Sequence, residues 1–217
     1  MENFDFAMVF LAILPILLTI TFTVVASGYV ARYYGDRTAE MMGRLTINPL
    51  KHIDLIGTIV LPLIMFLISN GQFIFGWGKP MPINSANFRD VRMGTRMVAI
   101  SGPLASLLMC FGWTIMYIIS IWIPEYFQKP LMIMSVLGIK FNAIFCALNL
   151  IPIPPLDGAR FIDTFLPAKT SMQYRKLEPY GTWIILLLMA SGLLGFIINP
   201  FIALILNICN YLIQLFG

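Results

Sequence analysis

An all-helical chain that crosses a membrane several times is predicted by three observations. Hydrophobic residues make up 59% of the 217 residues and charged residues 11%, whereas soluble domains carry about a quarter charged. Mean hydropathy is +0.86. Apolar runs also recur near the ~20 residues that a spanning helix needs. A single membrane domain over residues 1–217 is expected, with five to six membrane segments.

The runs can be taken in order. The first, Ala7 to Ala31, follows two acids, Glu2 and Asp5, and the first thirty residues hold no Lys or Arg. A cleaved signal peptide has a basic leading region, so this segment reads as a retained anchor. Ile53 to Ile68 is shorter and runs into "SNGQFIFGWGKPMPIN". Glycine, proline and interspersed aromatics suit a membrane re-entrant loop or an extended strand better than a helix. Val98 to Ile123, Leu131 to Ile151, Thr182 to Ile198 and Phe201 to Phe216 complete the set.

Charge orients these segments. Lys and Arg cluster in three stretches: Arg32 to Lys51, Lys79 to Arg96, and Arg160 to Lys176. The stretch Pro124 to Pro130 has one, Lys129. If Ile53 to Ile68 dips and returns, all three clusters share one side, as the positive-inside rule favours. This places the N-terminus outside and the clusters at the cytoplasmic face; Lys140 is left to snorkel or to lie in the bundle. The formal charge of +4 is explained by such loops and calls for no nucleic-acid partner. Cys110, Cys146 and Cys209 are widely spaced in apolar sequence, with no C-x-x-C pair. They read as small membrane hydrophobes rather than a disulfide framework or zinc knuckle.

One stretch breaks the pattern: "NLIPIPPLDGAR", Asn149 to Arg160. Prolines and glycine free backbone groups, which lipid tolerates only where protein or a wet cavity receives them. A carboxylate at membrane depth, Asp157, marks a functional site by default.

These residues resemble the site-2 protease family, the zinc-dependent intramembrane metalloproteases. Asn149, Pro152, Pro154, Leu156, Asp157 and Gly158 match the family's N-x-x-P-x-P-x-L-D-G motif. Tyr33 to Pro62 resembles the segment after its catalytic helix, and Phe75 to Asp90 its membrane-dipping loop. "SGPLASL" (Ser101 to Leu107) and "KLEPYG" (Lys176 to Gly181) also read as family segments. The resemblance implies a site-2 protease-like helix core. It also implies an H-E-x-x-H motif on the first helix, whose two His bind zinc on one face while the Glu serves as general base. Asp157 would be the third ligand.

Counted back from Gly35 and Asp36, that motif falls at "TVVAS", Thr23 to Ser27. Thr23 and Ser27 stand where the His would be, and Val24 where the Glu would be. The chain has one His, His52. A hydroxyl is a poor zinc ligand beside imidazole, and valine takes no proton. No catalytic residue is therefore intact, no cofactor is expected, and zinc would bind only if this reading is wrong. Thr23, Ala26, Ser27 and Gly28 equally form a small-residue face for close helix packing. Asp157, left as an orphan metal ligand, caps freed backbone N–H groups or pairs with Arg160, or else it contacts substrate. His52, Asp54 and Asp157 form the one alternative ligand trio.

The leading functional reading is a pseudoprotease that binds or scaffolds a transmembrane client or complex subunit. It keeps the substrate-binding residues that the resemblance implies: Phe75, Trp77 and Pro80 in the dipping loop, and Asn149, Pro152 and Pro154 in the proline segment. An extended client could add as a strand to an exposed backbone edge. The alternative is an active intramembrane metalloprotease with a non-standard metal site. A transporter is disfavoured by the absence of internal repeats and of several intramembrane charges. A bacterial inner membrane is the expected location.

Overall fold

The computed structural model describes residues 6–60, 64 and 78–216. Among these, the chain is helical with no strand, and four helices are long and apolar enough to cross a membrane. The spanning helices are α1 (Phe6–Tyr33), α3 (Val91–Ser120), α4 (Glu125–Asn149) and α8 (Leu193–Phe216). Shorter helices are α2 (Thr38–Met41), α5 (Asp157–Asp163), α6 (Ala168–Arg175) and α7 (Glu178–Ala190). The chain is an integral membrane protein of the all-α polytopic class.

Two boundaries differ from the sequence expectation. Thr182 to Ile198 is not one span: it breaks at Gly192, whose φ of +77° is a left-handed conformation that glycine adopts at no steric cost. The 13 residues of α7 rise about 20 Å, too little to cross alone. The last span then starts at Leu193, eight residues before Phe201, and carries Pro200 inside it. Neighbouring helices in a membrane bundle can absorb the hydrogen bond that such a proline removes. Of the Ile53 to Ile68 run, Leu55–Val60 forms one wide helical turn; most of the expected re-entrant segment lies outside the described residues.

Helix α3 is the hub. Asp90 caps its start, its carboxylate accepting from Met93 N at 3.0 Å. It packs against α1, α4, α5 and α8. Close approach comes from small residues, as membrane helices require. Gly138 of α4 lies flat under the Trp113 ring of α3. Cys110, Cys146 and Cys209, far apart in sequence, meet in one buried cluster with Trp113, Ile139, Ala143 and Ile205. There they act as the small hydrophobes that the sequence predicts. A second cluster seats α7 and α8 on the end of α4 through Ala147, Ile151, Ile185, Leu194 and Ile198.

The loop after α1 is tied down by Asp36. This buried carboxylate accepts from the Thr38 hydroxyl, from Thr38 N at 3.1 Å, from Asn84 N at 2.7 Å and from Asn87 Nδ2 at 2.9 Å. It thereby fixes the end of α1 to the segment that leads into α3. Burial raises the Asp36 carboxyl, but the hydrogen bonds from Thr38, Asn87 and Asn84 outweigh it and hold the group below its ordinary 3.8. Lys140 is exposed on α4, as snorkelling requires.

Candidate functional site

The proline segment begins as α4 ends. Leu150 N and Ile151 N still bond back into the helix, to Cys146 O and Leu148 O. Pro152, Pro154 and Pro155 then carry the chain away, until α5 starts at Asp157. Two glycines make this turn possible. Gly158 sits against the Leu150 carbonyl, and Gly181 of α7 against the Pro154 carbonyl; a Cβ on either would collide with backbone. The Tyr174 hydroxyl donates to Pro152 O at 2.6 Å. The turn is thus received by protein, which is what lets an irregular backbone exist in such a chain.

Asp157 faces α3. A Cβ placed on Gly102 would lie 2.9 Å from Asp157 Oδ2 and 3.8 Å from Ser27 Oγ. Ser101 Oγ is 3.2 Å from Ser27 Oγ and donates to Val98 O at 2.6 Å. Helices α1, α3 and α5 therefore meet at one point, with Ser27 and Asp157 both bordering the space at Gly102. The side chain of Asp157 is 24% exposed, and its one ion-pair partner among the described residues is Arg160 Nη1 at 3.8 Å. Burial pushes this carboxyl up to about 6, against the opposing pull of Arg160. Of the two packing roles expected for Asp157, the Arg160 contact is formed.

The motif positions on α1 are engaged in helix bonds. Thr23, buried, donates to Thr19 O at 2.8 Å, and Ser27 donates to Thr23 O at 3.2 Å. Val24 is half-buried. The donor set at the meeting point is one carboxylate and hydroxyls whose protons are committed to carbonyls, with no imidazole. That does not fit the nitrogen-rich ligand set by which such sites hold zinc. The alternative trio does not assemble either. His52 is buried and its Nε2 pairs with Thr46 O at 2.7 Å, while Asp54 accepts from Gly57 N at 2.7 Å. Among the described residues, no group of three His, Cys, Asp or Glu comes together.

Of the expected substrate-contact residues, four lie among the described residues. Asn149 donates to Phe145 O at 3.0 Å. Pro152 is exposed and Pro154 buried. The Pro80 carbonyl accepts from Arg44 Nη2 at 3.4 Å. Phe75 and Trp77 lie outside the described residues. Between Pro154, Pro155 and the stretch containing Met81 and Ile83 lies a cavity of about 330 Å³, also lined by Phe88, Thr95, Arg160 and Asp163. The stretch is anchored by Lys79 N, which donates to His52 O at 2.8 Å. Ser101, Gly102 and Gly181 are the residues whose roles sequence reasoning missed. The signal was there, because "SGP" and "PYG" place small residues in family-like blocks, but nothing in a linear sequence says what presses against them.

A polytopic helical membrane core with an L-D-G carboxylate set against α3, beside Ser27 of α1, is the arrangement expected of an intramembrane metalloprotease scaffold. The chain is 33% identical over 193 residues to the Bacillus subtilis protein named "Putative zinc metalloprotease YwhC", covering 86% of this chain and 84% of that one. It is 24% identical over 174 residues to "Putative zinc metalloprotease Rip2" of Mycolicibacterium smegmatis, covering 77% of this chain and 61% of that one. The chain belongs to the site-2 protease family. No protein-family profile matches it, and no solved structure matches it.

Proposed function

We propose that this protein is a pseudoprotease: a site-2 protease scaffold that binds a transmembrane partner without cutting it. The observation that carries the reading is Ser27, with Asp157, bordering the space at Gly102, where the family's chemistry calls for an imidazole. A hydrolytic zinc site needs several ligands and a proton acceptor together, and Thr23, Val24 and Ser27 supply neither.

What remains is a binding apparatus. Met81 and Ile83 border the cavity, and among the described residues their backbone groups have no hydrogen-bond partner. Such an edge suits an extended client segment by strand addition. Asn149, Pro152, Pro154 and Pro80, with Phe75 and Trp77, are the contacts assigned to that client. The single domain is assigned to a bacterial inner membrane, and its N-terminus is assigned to the outside on the charge pattern of its loops.

The test is metal content of the purified protein beside the Thr23→His/Val24→Glu/Ser27→His variant, with cleavage of a membrane substrate followed in both. Zinc in the variant alone, and a transmembrane protein that co-purifies with wild type, are the expected results. Stoichiometric zinc in wild type, or a peptide bond cut by it, overturns the reading.

A further inference from the structure

The last spanning helix carries polar side chains that nothing in the described chain receives. Helix α8 is the least buried of the four spanning helices. It turns Leu194, Ile198, Ile205 and Cys209 inward. Asn199, Asn207, Asn210 and Gln214 are all exposed, and their side-chain amides make no hydrogen bond among the described residues. Asn142 and Asn149 of α4 behave differently: each donates to the carbonyl one turn back, at 2.9 and 3.0 Å. The 24 residues of α8 have their midpoint between Leu204 and Ile205. Asn207 lies about 4 Å along the axis from that midpoint, and Asn199 and Asn210 about 8 Å from it. All three are thus well inside a hydrocarbon layer about 30 Å thick. Lipid offers such amides no partner, whereas a neighbouring helix does.

The amides are not scattered. Asn199, Ala203, Asn207, Asn210 and Gln214 recur at steps of four, four, three and four residues, the spacing of a seam between two helices. On a regular helix they fall within roughly 80° of arc, centred about 130° round from the buried stripe. The remaining exposed side carries Ile197, Phe201, Leu204, Ile208 and Leu215, which suit lipid. Helix α8 therefore has three sides: one packed on the bundle, one apolar and exposed, and one lined with amides around the small Ala203.

We propose that this amide stripe is the contact with a second copy of the chain, α8 against α8, in a two-fold dimer within the membrane. Two copies in one membrane share an orientation, so a two-fold axis along the bilayer normal sets each level of α8 against itself. A carboxamide has both donors and acceptors. Asn207 therefore pairs with Asn207 of the second copy, and the residues above and below follow in the same register. A polar Asn in the seam between two parallel helices fixes register and partner number in this way. Ala203, between Asn199 and Asn207, lets the two backbones approach closely. Any other partner helix would have to bring matching polar groups at the same spacing, which a second copy does by identity.

The test has two readouts on the full chain. Sedimentation equilibrium in detergent micelles should show wild type dimerising, with a dissociation constant raised about tenfold or more in Asn199→Leu/Asn207→Leu/Asn210→Leu. Oxidative cross-linking in membranes reads the face directly and leaves the amides in place. Ala203→Cys lies on the stripe and Leu204→Cys, at nearly the same depth, on the apolar side. The three native cysteines are buried, so the introduced thiol is the one that reports. A disulfide-linked dimer is expected from Ala203→Cys and not from Leu204→Cys. Wild type that is monomeric at every concentration, a triple variant that dimerises as well as wild type, or equal cross-linking at both positions overturns the proposal. So does a different transmembrane protein held by the stripe with no α8–α8 cross-link. None of these outcomes bears on the pseudoprotease reading, which zinc content and cleavage decide.

Discussion

Ser101 Oγ of α3 lies 3.2 Å from Ser27 Oγ of α1, at the point where the Asp157 carboxylate comes up against Gly102. Two hydroxyls and a glycine line the place where a metalloprotease of this fold would gather imidazoles. The space that Gly102 leaves open is filled by the carboxylate oxygen rather than by a side chain of α3.

On the proposed reading, Asp157 is the third ligand of a restored site. In the Thr23→His/Val24→Glu/Ser27→His background, a further Asp157→Ala change should release the metal. Equilibrium dialysis against zinc measures this directly. Retention of zinc after Asp157→Ala would mean that the carboxylate does not join the restored site.

His52 should have no part in metal binding. Its buried ring pairs with Thr46 O at 2.7 Å, so His52→Ala leaves a cavity and an unpaired carbonyl. A loss of about 2–4 kcal/mol is expected from such a truncation, read as a lower thermal midpoint. Metal content should match wild type in the same preparation.

Gly181→Ala should prevent or severely weaken docking of α7. Its new methyl would run into the Pro154 carbonyl, a backbone atom that cannot turn aside, and overpacking of this kind costs about 1–3 kcal/mol or more. Gly112→Ala is the control, since nothing lies within 4 Å of a Cβ there. Expression and thermal midpoint of the two variants should separate clearly; equal midpoints would contradict the packing of α7 on the proline turn.

Acid should loosen the loop after α1. The folded Asp36 carboxyl sits below its ordinary value of 3.8, so its ionised form stabilises the fold above that value. The contribution is lost as pH falls through the folded value. Asp36→Asn should therefore be less stable than wild type at pH 7, and the gap should close below a pH of about 3.8. Thermal unfolding at pH 7 and pH 3 checks the sign.

The sequence by itself determined a great deal. Apolar runs of spanning length and a low charge content dictate a helical membrane bundle, because only helices and closed barrels satisfy their own backbone groups in lipid. The L-D-G turn and the "TVVAS" substitution were both legible, since ligand chemistry is a property of residue types at fixed spacing. Tertiary structure decided the rest. Gly192, not a change in hydropathy, ends α7 and starts the last span. Gly181 receives the proline turn, and three separated cysteines share one core. Such contacts join residues far apart in the chain. Only packing decides which of many small residues meets a carbonyl, a ring or a carboxylate.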